Sequence, residues 1–123
     1  TMTFPAVTST VLTTGNTATI TKGYTVTPYN AGTFSGTTYT PDPANGNYQY
    51  MTITGTPTLA VPASDCAIDV LATNASATGL TISASYTYAA ASTAAYNATG
   101  TNKFLISIRR INSISTLTIV ALQ

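Results

Sequence analysis

The sequence predicts an all-β protein, an antiparallel β-sandwich or jelly-roll-like barrel of about eight to ten short strands. Three observations carry this. Thr, Val, Ile and Tyr recur throughout the chain, and these residues fit a pleated, half-buried surface. Glu is absent and Lys and Arg together number four, so strong solvent-side helix formers are scarce. Eight glycines and six prolines punctuate the chain at short intervals, as connections between strands require.

The elements follow in order. Strands are expected over 6–12, 17–21, 24–27 and 33–39. Lys22-Gly23 reads as a hairpin turn, because glycine supplies the positive φ that such turns need. In "TPDPANGN" the prolines Pro41 and Pro43 and the pair Asn45-Gly46 make a loop. More apolar strands are expected over 48–54, 58–61, 66–73, 80–85, 103–110 and 114–122. The stretch "ASYTYAAASTAAYNATGTN", residues 84–102, is ambiguous: its alanines allow a helical turn, while Thr, Tyr and Asn favour a long loop or weak strand. The closing stretch "NKFLISIRRINSISTLTIVALQ" alternates cleanly. Phe104, Ile106 and Ile108 share one face, as do Leu117, Ile119 and Ala121, and "INSIS" supplies the turn between them.

With 123 residues the chain has the size of one ordinary domain. Only 6% of it is charged, against roughly 25% in typical soluble proteins. A surface of Thr, Ser, Asn and Tyr suits a protein whose surface is occupied by neighbours, or one that works outside a cell. The net charge of +1 gives no steering toward nucleic acid or an anionic membrane. No apolar run reaches the roughly 18 residues of a membrane-spanning helix. The start "TMTFPAVTST" lacks the basic and apolar regions of a signal peptide.

Catalytic chemistry finds little to use. The chain has no His and no Glu, so the usual proton-transfer groups and every Ser-His-Asp or Cys-His arrangement are missing. Asp65 and Asp69 on one strand would lie roughly 13 Å apart, too far for a carboxylate pair. No glycine-rich phosphate loop occurs. No enzyme activity, cofactor or metal site is expected. The sequons at Asn74 and Asn97 read as chance in so Asn- and Thr-rich a chain.

A few side chains stand out. Cys66 is the sole cysteine; it reads as a small buried hydrophobe, with an intersubunit disulfide as the alternative. Arg109 and Arg110 supply half of the positive charges. Asp69, inside a strand, is expected to be partly buried and paired with one of them; the other reading places an arginine across a subunit interface, where its planar fork is favoured. Tyr48 and Tyr50 flank Gln49 and are expected to pack at the edge of the core. Tyr86, Tyr88 and Tyr96 are candidates for surface contact, since tyrosine combines apolar area with a hydroxyl.

From about residue 46 onward the chain resembles a recurrent module of tailed-phage virion proteins, many of them from phages and prophages of α-proteobacteria. The resemblance rests on "NYQYMTIT", "PASDCAIDVLATN", a Gly followed by "LTIS", and above all "TNKFLISIRRINSISTLTIVALQ". It covers roughly two thirds of the chain and implies a part of the virion. Residues 1–45 fall outside it and are expected to form an attachment arm or extra strands of the single domain. The implied role is a head decoration or cement protein, held by repeated contacts with the major capsid protein and with itself, a trimer being favoured. The alternative is a tail fibre, spike or collar component that binds a host receptor or glycan, with 89–101 as contact loop. Neither role involves nucleic acid or membrane, and both place the protein on the phage particle.

Overall fold

A computed structural model describes residues 23, 25–75, 79–88 and 102–122. The all-β expectation holds: these residues form eight strands and a single 3-10 turn. In chain order they are β1 (Tyr29–Phe34), β2 (Thr38–Tyr39), β3 (Tyr48–Ile53), β4 (Thr58–Leu59), β5 (Cys66–Asn74), β6 (Thr81–Ile82), β7 (Lys103–Ile111) and β8 (Ile114–Leu122). The expected strands over 6–12 and 17–21 lie outside the described residues. Thr25, Val26 and Thr27 are described and belong to no strand.

The pairing differs from the antiparallel expectation. Odd- and even-numbered strands alternate between two sheets up to β6. The larger sheet has the order β1-β3-β5-β7-β8 and the smaller one β2-β4-β6. β1, β3 and β5 pair in parallel, and so do all three strands of the small sheet. Among the described strands only the pairs β5-β7 and β7-β8 are antiparallel. The described residues therefore wind as three stacked coils, each with one strand in either sheet, and the last two strands form a hairpin laid along the third coil.

The stacking continues around the corner between the sheets. Thr54 donates its backbone N–H to Phe34 O at 2.9 Å, Thr56 to Ser35 O at 3.0 Å and Ala60 to Tyr39 O at 2.8 Å. One coil further on, Ala75 donates to Ile53 O, Thr81 to Pro57 O and Ser83 to Leu59 O. Backbone groups that a loop would leave to water are thereby paired. The corner is tight: a Cβ added at Gly55 would lie 1.5 Å from Ser35 O, so no other residue fits there.

Side chains alternate across the strands as a pleat dictates. Met51 and Ile53 of β3, Ile68 and Val70 of β5, Phe104, Ile106 and Ile108 of β7 and Leu117 and Ile119 of β8 are buried. Tyr39 and Leu59 of the small sheet join the same core. The predicted apolar face of the closing hairpin is this inner face. Its turn, Asn112-Ser113, holds both residues at positive φ, 48° and 67°, as a two-residue turn with primed geometry demands.

The 41–47 segment is a loop, as expected, with local order. Asp42 accepts from the backbone N–H of Ala44 at 2.9 Å, capping the 3-10 turn Pro43–Asn45. The side-chain amide of buried Gln49 donates to Asp42 O at 2.7 Å and to Gly46 O at 2.8 Å. Its oxygen accepts from the Tyr39 hydroxyl. Gln49 is thus fully partnered at the core's end and ties the loop to both sheets.

Candidate functional site

The two arginines point to opposite faces of β7, since adjacent strand residues must. Arg110 lies on the inner side at the end of the strand, opposite Cys66 and Ser115. Its Nε is 3.6 Å from Asp65 Oδ1, and its Nη1 donates to Pro62 O. Asp65 also holds the hairpin turn, since its two oxygens accept from the backbone N–H of Asn112 at 2.7 Å and of Ser113 at 3.1 Å. Among the described residues, the ion pair is therefore Arg110–Asp65 and not a pair made by Asp69. The sequence favours Asp69 because it lies inside a strand. A loop carboxylate just ahead of β5 is instead the one placed beside the hairpin turn.

Arg109 is exposed on the outer face, opposite Ala67 and Thr116. Asp69 shares that face, between Tyr48 on one side and Ser107 on the other. Together with Asn47, Tyr48, Ala67, Gly46, Val26 and Thr27 they line an open groove of about 340 Å³ at one end of the large sheet. The Asn47 side-chain amide donates to Ala67 O at 2.6 Å, and Asn47 O accepts from the backbone N–H of Asp69 at 2.8 Å. These bonds fix the groove's floor. Asp69 and Arg109, singled out as partners, are brought to one site without forming an ion pair.

Next to the groove an apolar row crosses the outer face. Tyr50 pairs with Leu71, Leu71 with Leu105, and Leu105 with Val120. Tyr50, Leu71 and Val120 are 40%, 37% and 49% exposed. The following row ends in Leu122, and the tip of the hairpin presents Ile111 and Ile114, all exposed. A solvated sheet face normally carries polar residues, so a row spanning four strands is a surface suited to a neighbour.

Several single-residue expectations change. Tyr48 and Tyr50 are exposed and Gln49 is buried, the reverse of the expected phase; a one-residue shift exchanges the faces of a strand. Tyr86 is buried, not a surface residue. Its hydroxyl donates to Ala60 O at 2.8 Å, and its backbone forms an isolated bridge with Ser115. Tyr88 is 41% exposed, and Tyr96 lies outside the described residues. Burial pushes the phenols of Tyr39 and Tyr86 well above their ordinary range. Cys66 is half-buried against the core. Burial raises its thiol, with nearby Arg110 acting in the opposite sense.

Among the described residues no group of three or more His, Cys, Asp or Glu could hold a metal ion, and no helix is long and apolar enough to cross a membrane. Comparison with protein-family models, with curated proteins and with solved structures found no match to the chain.

Proposed function

We propose that this protein is a non-enzymatic structural component of a tailed-phage virion, a head decoration protein that stabilises the capsid by repeated lattice contacts. The observation that carries the reading is the outer-face row Tyr50-Leu71-Leu105-Val120, of which Tyr50, Leu71 and Val120 are exposed and Leu105 is half-buried. In a chain with 6% charge, that row can be covered without desolvating an ion, apart from Lys103 and Asp69 at its borders. Contacts of this kind are apolar and Tyr-rich, with a polar surround of Thr and Ser. They depend little on salt. Many weak copies on a lattice then sum to firm attachment.

The motifs that resemble virion proteins fall on β3, β5, β6 and the β7-β8 hairpin, the strands that build this face and its support. The partners in this reading are the major capsid protein and further copies of the chain, as a trimer, and the location is the particle surface.

Cryo-electron microscopy of purified particles tests it. The expected result is density for the chain at regular positions over the head, with the apolar row facing the shell. Density confined to the neck, tail or fibres, or none on the particle, overturns it.

A further inference from the structure

We infer that the groove formed by Tyr48, Asp69 and Arg109 is a binding site for a neutral saccharide with adjacent hydroxyls. The inference stands apart from the assignment to a particle and does not rest on it.

The first argument concerns what the charged groups do. The chain has seven charged side chains. Arg110 and Asp65 are used in the turn clamp, and Asp42 caps the 3-10 turn. Asp69 and Arg109 have no such structural use. The carboxylate of Asp69 and the guanidinium of Arg109 make no hydrogen bond or ion pair with the described residues, although they are diagonal neighbours on adjacent strands. A sequence that avoids charge has placed two opposite charges in one concavity and, among the described residues, paired neither.

The second argument is the chemistry of the set. A carboxylate accepts two hydrogen bonds and a guanidinium donates several in one plane. Both match a pair of vicinal hydroxyls, which donate and accept at once. Tyr48 is 38% exposed and offers a ring on which the C–H face of a sugar can pack. Asn47 and Thr27 add polar groups to the lining. The volume of about 340 Å³ falls at the small end of the range for ligand pockets, roughly 300–1,000 Å³, and suits one or two sugar rings. A zwitterionic ligand would also find both charges, but in an open groove ion pairs contribute little. Hydrogen bonds to hydroxyls combined with ring packing use more of what is present.

The test is nuclear magnetic resonance titration of the complete chain with maltotriose, mannotriose and chitotriose, each to about 20 mM, a range that detects weak sites. The expected result is that at least one trisaccharide shifts the amides of Tyr48, Asp69 and Arg109 in a saturable manner. In Asp69→Ala and in Tyr48→Ala the response should weaken at least tenfold. In Arg109→Lys, which keeps the charge and loses the fork, it should weaken severalfold while the amide spectrum stays folded. Absence of shifts with all three sugars overturns the inference. So does a response that survives in the folded variants, or one seen with glycine as a zwitterionic probe and with no sugar.

Discussion

The Asp65 carboxylate bonds the backbone of Ser113 while its Oδ1 lies 3.6 Å from the Arg110 Nε. One acidic side chain thus fixes both the turn of the last hairpin and the arginine that closes the end of the core. Ser113 sits at φ 67°, a conformation that costs a non-glycine residue energy and needs support. Asp65→Ala should lower stability by about 1–3 kcal/mol, read as a fall in Tm. Asp69→Asn should leave the Tm nearly unchanged, because that carboxylate has no structural partner among the described residues.

Gly55→Ala should be among the most damaging single substitutions. The added methyl meets backbone, the Ser35 carbonyl at 1.5 Å, and neither coil can move aside without breaking the corner hydrogen bonds. A loss on the order of 3 kcal/mol or more is expected, measured by chemical denaturation. Gly36→Ala, where the space is open, should cost no more than about 1 kcal/mol.

Tyr39→Phe removes the hydroxyl that donates to Gln49. The Gln49 oxygen is then buried without that donor, which should cost about 1–3 kcal/mol. Gln49→Leu should cost at least as much, because Asp42 O and Gly46 O lose their donor. Comparison of the two in denaturant shows whether the loop 41–47 is held through this side chain.

Stability should fall at high pH. Tyr39 and Tyr86 have folded-state pKa values raised above the ordinary value of 10.0 by burial. Their contribution is complete below pH 10 and is lost as pH rises toward the folded values, because the unfolded chain releases protons that the folded chain retains. Each tyrosine contributes up to about 1.4 kcal/mol per pH unit in that window. A melting series from about pH 8 to about pH 11.5 should be flat at first and then decline. Tyr86→Phe should flatten part of the decline.

Under the proposed decoration role, Leu71→Asp and Val120→Asp should weaken assembly by about thirtyfold or more, as a charge at the centre of a contact does. Both side chains are exposed in the folded chain, so the Tm of the isolated protein should change little. Sedimentation of the protein with itself and with capsids separates assembly from folding.

Strand positions were legible because alternation is local. Ile114–Leu122 is predicted to the residue, and β3, β5 and β7 to within one residue at each end. Pairing was not legible in the same way. The run 33–39 reads as one strand, but Ser35, Gly36 and Thr37 bend the chain from one sheet into the other. Short connections suggest hairpins, and here they are corners between parallel coils. A signal for the coils does exist. Thr33-Phe34-Ser35-Gly36-Thr37 and Thr52-Ile53-Thr54-Gly55-Thr56 repeat each other, and the structure stacks Thr33 on Thr52 and Phe34 on Ile53. Internal repeats of this kind announce stacked architectures, but a Thr-rich background and the extra Pro57 obscure it. The groove was half legible: Asp69 and Arg109 stood out by charge alone. The sequence pattern puts Tyr48 at the edge of the core, whereas the inward position goes to Gln49, which is partnered on both ends of its amide and buried where an apolar residue is usual.

Coils stacked in parallel give this molecule a height that changes in whole steps. Each coil adds about 4.8 Å along the stack, and the antiparallel hairpin blocks further growth in the larger sheet at one end. Duplication of a segment such as 48–65, one coil of β3 and β4, would lengthen the body while preserving its cross-section and its hairpin cap. Reach along the stack is thus set by the number of windings, and the cross-section by the length of each.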